Sequence, residues 1–312
     1  MVSIIINNYN YGRFLDSAIE SAVAQAYSPK EIVVVDDGST DNSRDVIGTY
    51  GERVRAVFQK NSGQATAFNA GVKASRGQIL CFLDSDDWFG AGKIGCIVEA
   101  FSRCGLNSTP MLVHHRLQMV DAVGSNLDGQ LIGNLHESPL NLYAYAKRYK
   151  AIPYKAAPTS GLSLNRALAD RLFPLPEKGI RTMADDFVVK GASLVGELHC
   201  LDEVLGFYRL HGGNLWHGSN SRKPPGYIRS LDAYLNQRLM ENDLSPVLDF
   251  YDSMYSWGDL FADRKWLKWG TQLLTLSVRQ HDRHTSKYVW DAFRSIGGLT
   301  LRLLKLRRSS MA

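Results

Sequence analysis

Four short apolar runs rich in β-branched residues fall within the first 83 positions, and they leave this chain few ways to fold. The runs are residues 2–6, 31–35, 54–58 and 78–83. Between the first two, Phe14, Leu15, Ala18, Ile19, Ala22 and Val23 recur at helical spacing. Strands alternating with helices predict a mostly parallel sheet covered by helices on both faces. In such a sheet ligands bind beyond the carboxyl ends of the strands. Polar clusters follow three of these runs: Asn7 to Asn10, Asp36 to Asp41 and Asp84 to Asp87.

Residues 111–220 are less regular, with a strand expected over 112–120, a Pro/Gly-punctuated middle and a helix over 184–194. After a loop at 212–225 the pattern becomes helical and includes Trp257, Trp266, Trp269 and Trp290. The expected division is a catalytic domain over 1–220, with halves at 1–110 and 111–220, and a helical region over 221–312. A chain of 312 residues with 45% apolar content can build one large core and such an appendage. Residues 222–312 carry 15 Lys and Arg against 9 Asp and Glu, which leaves 21 against 22 elsewhere, so the +5 net charge is C-terminal. Cys81, Cys96, Cys104 and Cys200 form no C-x-x-C pair, so neither a zinc site nor a disulfide framework is expected and a reducing compartment fits. No basic leader precedes residue 2, and no stretch approaches about 18 uninterrupted apolar residues. A cytoplasmic protein is expected, without a nucleic-acid partner.

The acidic clusters carry the chemistry. Val33-Val34-Val35-Asp36-Asp37-Gly38-Ser39-Thr40-Asp41 reads either as a strand ending in an Asx turn that caps the next helix, or as a carboxylate accepting hydrogen bonds from a nucleobase or ribose. In Asp84-Ser85-Asp86-Asp87-Trp88, Asp84 and Asp86 fall on one side if the strand persists. Two crowded carboxylates repel unless a cation lies between them. Mg2+ or Mn2+ meets that need, taking one or two carboxylates and completing its shell from water and a diphosphate. The plain alternative is a solvated acidic loop. His114 and His115 point to opposite faces of a strand and are left out of the site.

Taken together, these clusters resemble glycosyltransferase family 2. Ser3 to Asn10 is similar to that family's first strand and donor loop, with Asn7 where proline is usual, and Asp36 to Asp41 to its nucleotide-binding turn. Asn61-Ser62-Gly63-Gln64-Ala65-Thr66-Ala67-Phe68-Asn69-Ala70-Gly71 resembles its N-x-G-x-x-x-A-x-N-x-G helix, and Asp84-Ser85-Asp86 its D-x-D motif. More weakly, Ala184-Asp185-Asp186-Phe187 resembles the acidic pair that opens a helix, with Asp185 replacing Glu. Tyr208-Arg209-Leu210-His211-Gly212-Gly213-Asn214 resembles a Y-R-x-H-x-x-N segment, and there the likeness ends.

The resemblance implies a GT-A-type α/β fold, a mostly parallel sheet flanked by helices, with a C-terminal helical extension. It also implies an inverting transfer from a nucleotide-diphosphate sugar, with uridine favoured. Donor binding would then fall to Asn8, Tyr9, Asn10, Asp36, Asp37, Gln64, Asn69, Asp84, Ser85, Asp86 and Arg209. Asp86, Asp84 and His211 would hold the metal, Arg209 would meet a phosphate, and Asp186 would be the general base. Trp88, Thr159, Ser160, Gly161 and Asp185 are expected on the acceptor side, where a glycan, a lipid-linked glycan or a protein supplies the hydroxyl. An acidic pair at a helix start also has a plain reading in the helix macrodipole.

Two other classes stay open. Nucleotidyl transfer would be expected to show a basic, Gly-rich loop after the first strand, where this chain has Asn7-Asn8-Tyr9-Asn10. A non-catalytic nucleotide-sugar-binding module would need neither a metal pair nor a distant base. Near the C-terminus, Ile296, Leu299, Leu303 and Leu306 form a helical stripe among Arg294, Arg302, Lys305, Arg307 and Arg308. That pattern suits a helix lying on the inner membrane face, or one packed on its own domain or a partner subunit.

Overall fold

The computed structural model describes residues 1–105, 109–150, 152, 154–177, 180–214 and 227–248. The chain runs β1 (Val2–Asn8), α1 (Gly12–Val23), β2 (Lys30–Asp36), α2 (Ser43–Thr49), β3 (Arg55–Phe58), α3 (Gln64–Ala74) and β4 (Ile79–Asp84). It continues through β5 (Trp88–Phe89), α4 (Lys93–Cys104), β6 (Met111–Val120), β7 (Asn126–Ile132) and α5 (Tyr143–Tyr149). The remainder is β8 (Leu162–Asn165), α6 (Arg166–Leu172), α7 (Ala184–Val195), β9 (Glu197–Arg209) and α8 (Tyr227–Glu241).

Among the described residues these strands form one nine-stranded sheet in the order β3-β2-β1-β4-β8-β6-β9-β5, with β7 on β6. The expected parallel arrangement holds from β3 to β4. Beyond β4 the sheet is mixed: β8 runs antiparallel to β4 and β6, β9 is parallel to β6, and β5 is antiparallel to β9. The two parts of the chain thus share one sheet, with β5, from before residue 110, at its far edge on β9.

Strand alternation sorts the core. Ile4, Ile6, Val34, Cys81 and Leu83 share a cluster with Leu15, Ala18 and Ile19 of α1 and with Ile94, Ile97 and Phe101 of α4. Val33 and Val35 face the other way, against Ala67 of α3. Gly71 lets α3 lie close on that face, since a Cβ there would stand 2.4 Å from Ile5 Cγ2. Strands buried on both sides need no polar alternation, which is why these runs read as continuous apolar sequence.

Register then delivers the polar ends together. Asn8 pairs with Asp36 and Asn7 with Asp84, so three strands present their acidic and amide groups along one rim. Toward the end of the described chain α8 packs against α6 and α7: the Tyr227 ring meets Phe187 edge-on at 5.6 Å, and the Tyr234 hydroxyl donates to Leu172 O at 2.6 Å. This helix lies within the unit Met1–Met254. The tryptophans from Trp257 onward and the stripe at 296–306 lie outside the described residues.

Candidate active site

A cavity of about 550 Å³ opens over the carboxyl ends of β1 and β4, lined by Asn7, Asn8, Asp37, Asp84 and Asp86 among others. At one end sits Asp37, buried, with both oxygens engaged. Oδ1 accepts from Gln59 Nε2 at 2.7 Å and from the Ser62 amide at 2.9 Å, and Oδ2 accepts from the Gly63 amide at 2.7 Å. Gly63 has φ 100° and lies so close to the Arg181 backbone that a Cβ would come within 2.7 Å of Arg181 Cα, so only glycine fits. Asp37 thus fixes the loop that starts α3 while also lining the cavity.

At the other end Asp84 Oδ1 accepts from Asn7 Nδ2 at 2.7 Å. Asp86 Oδ2 lies 2.9 Å from His211 Nε2, whose ring packs against Tyr11 and Phe14. Burial, then the charge of Asp86, push the Asp84 carboxyl up to about 7; Asp185 adds to the rise, and hydrogen bonds from Asn7 and Thr159 oppose it. Burial followed by the charges of Asp86 and Asp84 raises Asp87 well above the usual carboxylate range. Carboxylates crowded against each other beside an imidazole nitrogen are a donor set that a divalent cation such as Mn2+ or Mg2+ fits. Asn7 Oδ1 and Asn8 Oδ1 are buried acceptors without a partner among the described residues, at the same rim.

The expected site residues divide into groups. Asn8, Tyr9, Asn10, Asp37, Gln64, Asp84, Ser85 and Asp86 all line the cavity. Asp36 is fully buried and braces the rim instead, accepting from Asn8 Nδ2 at 2.9 Å and from the Ser39 amide at 3.2 Å. Asn69 is not among the lining residues: its amide bonds the Leu175 backbone in both directions, at 2.9 and 2.7 Å, and ties α3 to the 173–177 segment. Nor is Arg209. Its Nε donates to Asp86 O at 2.9 Å and its Nη1 to Ala122 O at 3.0 Å, while the guanidinium lies between the Phe14 and Trp88 rings. It holds the backbone of the Asp84-Ser85-Asp86 run. Trp88, stacked on Phe207 at 5.0 Å, serves the same packing.

Thr159, Ser160 and Gly161 form a buried turn beneath the motif. Ser160 Oγ donates to Asp87 Oδ2 at 2.6 Å and accepts from the Asp84 amide at 3.1 Å. Asp87, which the sequence left without a role, also accepts from the Arg209 amide at 2.9 Å and so joins β4, this turn and β9. Asp185 and Asp186 open α7 as expected. Asp186 Oδ2 accepts from Lys190 Nζ at 2.8 Å and from the Tyr227 hydroxyl at 2.6 Å. Burial and then the charge of Asp186 push Asp185 up to about 6. Tyr208, Arg181, Thr182 and Asn61 also line the cavity. Sequence reasoning passed over them, although Tyr208 opens the Y-R-x-H segment; nothing local marks Arg181.

Residues 3–115 match the family model described as Glycosyl transferase family 2. An uncharacterized glycosyltransferase of Nostoc sp. (strain PCC 7120) is 38% identical over 219 residues, which cover 68% of this chain and 66% of that protein. The chain belongs to glycosyltransferase family 2. A second relative, an uncharacterized glycosyltransferase of Rickettsia felis, is 36% identical over 129 residues, 41% of this chain and 21% of its own length. This family 2 chain therefore spans 66% and 21% of the lengths of these two relatives. The crystal structure of S. aureus TarS 1-349 in complex with UDP-GlcNAc has the same fold, with TM-score 0.58 and 16% identity over 84% of this chain and 72% of that one. Among the described residues no helix is long and apolar enough to cross a membrane.

Proposed function

We propose that this family 2 chain moves a sugar from a nucleoside-diphosphate sugar to an acceptor hydroxyl with inversion, using a divalent cation. One observation carries the reading: Asp84 on β4 and Asp37 after β2, on the two sides of β1, line one cavity together with Asp86, which meets His211 at 2.9 Å. Carboxylates on both sides of β1 suit a ligand with a base at one end and a diphosphate at the other. The likeness in fold to TarS, whose crystal structure is a complex with UDP-GlcNAc, favours a uridine donor. Asp86, Asp84 and His211 would hold Mn2+ or Mg2+, which when bound neutralises charge on a leaving diphosphate. Asn7 and Asn8 offer their buried carbonyl oxygens to hydroxyl donors such as those of a ribose.

The acceptor proton falls to Asp186, whose rotamer is set by Lys190 and Tyr227. Asp185 is a second reading, favoured by its raised carboxyl and by the effect of its charge on two cavity residues, Asp84 and Tyr208. The acceptor is a hydroxyl of a glycan, a lipid-linked glycan or a protein. Calorimetry with UDP, with and without Mn2+, tests the donor site. Binding is expected to need Mn2+ and to be lost in Asp86→Ala; equal binding by that variant would refute the assignment.

A further inference from the structure

A second cluster of metal-ligating atoms lies outside the donor cavity. His114 on β6 and Cys200 on β9 are register partners in the parallel β6–β9 pair, so their side chains rise from one face of the sheet. His136, from the segment after β7, reaches over to them. The Nε2 atoms of His114 and His136 stand 3.1 Å apart, and with Cys200 Sγ all three ligand atoms lie within 4.8 Å of one another. Tyr154 closes the fourth side, its hydroxyl 2.7 Å from His114 Nε2.

The ring partners show which lone pairs face inward. His136 Nδ1 is 2.7 Å from the Glu137 carbonyl, which can only accept, so Nδ1 carries the proton and Nε2 presents its lone pair to the cluster. A histidine that ligates a metal has this arrangement, the far nitrogen donating to a backbone carbonyl. His114 is fully buried, and its Nδ1 has no partner among the described residues. If His114 Nε2 takes a hydrogen bond from Tyr154, two lone pairs oppose each other at 3.1 Å. If it instead donates to His136, the Nδ1 lone pair is left buried and unpaired. A cation between the two Nε2 atoms removes the opposition of the lone pairs, with the His114 proton on the buried Nδ1 as in the first case.

We infer that His114, His136 and Cys200 form a binding site for a borderline-soft divalent cation, Zn2+ by ligand type, separate from the oxygen-rich donor site. Two nitrogens and a thiolate are zinc's ligands, whereas Mn2+ and Mg2+ prefer oxygen. Tetrahedral bonds of about 2.0–2.1 Å place two zinc-bound nitrogens about 3.3 Å apart, close to the observed separation. Bringing the sulfur to bonding distance needs a movement of about 1 Å. The fourth corner, on the side of Tyr154, is left for a water. The site's position makes it a clamp. Asn134 Nδ2 donates to Lys155 O at 2.7 Å and the Cys200 amide to Ser138 Oγ at 2.9 Å, so the cation would pin residues 134–138 and the segment leading to Thr159 and Ser160 onto β6 and β9.

The test uses the full chain without an affinity tag, stripped of metal and titrated with Co2+ and then Zn2+. The parent and Asp86→Ala, which lacks the main donor-site ligand, are both expected to develop a thiolate-to-cobalt charge-transfer band that saturates at one ion per chain and is displaced by Zn2+. Zinc at about a hundredfold over Kd should raise Tm by about 5–10 °C in both. Cys200→Ser and His136→Gln, at partly exposed positions, should lose the band and the zinc-dependent shift while keeping the metal-free Tm. If one of them fails to fold, the other decides. No thiolate band in the parent, a band unchanged in the variants, or a zinc shift lost only in Asp86→Ala would overturn the proposal.

Discussion

Asp37 gives the sharpest quantitative test, because its geometry decides what an isosteric change does. In Asp37→Asn the amide oxygen will turn toward the two donors at Oδ1, Gln59 Nε2 and the Ser62 amide, and leave its NH2 facing the Gly63 amide. One hydrogen bond to a charged group is lost, about 1.5–3 kcal/mol, and two N–H groups then face each other without an acceptor, about 1–3 kcal/mol more. The two surviving bonds lose their charge assistance and with it roughly half their strength. The lost bond and its stranded donor are one event and their costs overlap, so the expected total is at least about 3 kcal/mol, and the loop, pinned by Gly63, cannot move away freely to reduce it. Urea denaturation should register this as a midpoint lowered by at least about 1 M, with native-state circular dichroism unchanged below the transition. A loss below about 1 kcal/mol would refute the account, because it would mean that the loop is held by something other than these three bonds.

Asp186→Asn should keep UDP–Mn2+ affinity within a few-fold while transfer falls by roughly a hundredfold or more, and Asp185→Asn should be milder; the reverse ranking in single-turnover transfer assays moves the base to Asp185. For Glu31, burial alone would raise the carboxyl, but the Ser3 hydroxyl and the Arg76 amide and guanidinium outweigh it and hold the pKa below its ordinary value. Because the native pKa is depressed, the stabilisation is present above the unfolded pKa and lost as pH falls through the native one. The Tm gap between the parent and Glu31→Gln should therefore shrink on going from about pH 6 to about pH 3; a gap that widens would show the sign to be wrong.

The strands of the donor half were legible because their information is local: continuous apolar runs ending in Asn and Asp define both the sheet and the rim of the cavity. The helix at 184–194 was legible for the same reason, and the observed α7 ends one residue later. The contacts of Arg209 and Asn69 were not legible because their partners are remote. The motif pattern points Arg209 at a ligand, yet Asp86 O and Ala122 O lie 123 and 87 positions away, and neighbouring sequence does not mark them. Asp87 was passed over for a like reason, since its partners come from residues 160 and 209. The cysteine argument failed to anticipate the His114, His136 and Cys200 cluster because C-x-x-C spacing detects only sites built on one turn. Here β6–β9 register makes neighbours of residues 114 and 200.

The position of β4 in the sheet also governs how the chain must be made. Its inner edge finds β1 as soon as residue 84 is synthesised, but its other edge is closed only by Leu162–Asn165. At about 5–20 residues per second, a ribosome leaves that edge open for about 4–16 s. It is a run of Ile79, Leu80, Cys81, Phe82 and Leu83, the kind of bare apolar strand that pairs with whatever strand arrives first. The nascent chain thus passes through a window in which chaperone capture competes with aggregation, and truncations ending before residue 165 will be the ones that precipitate.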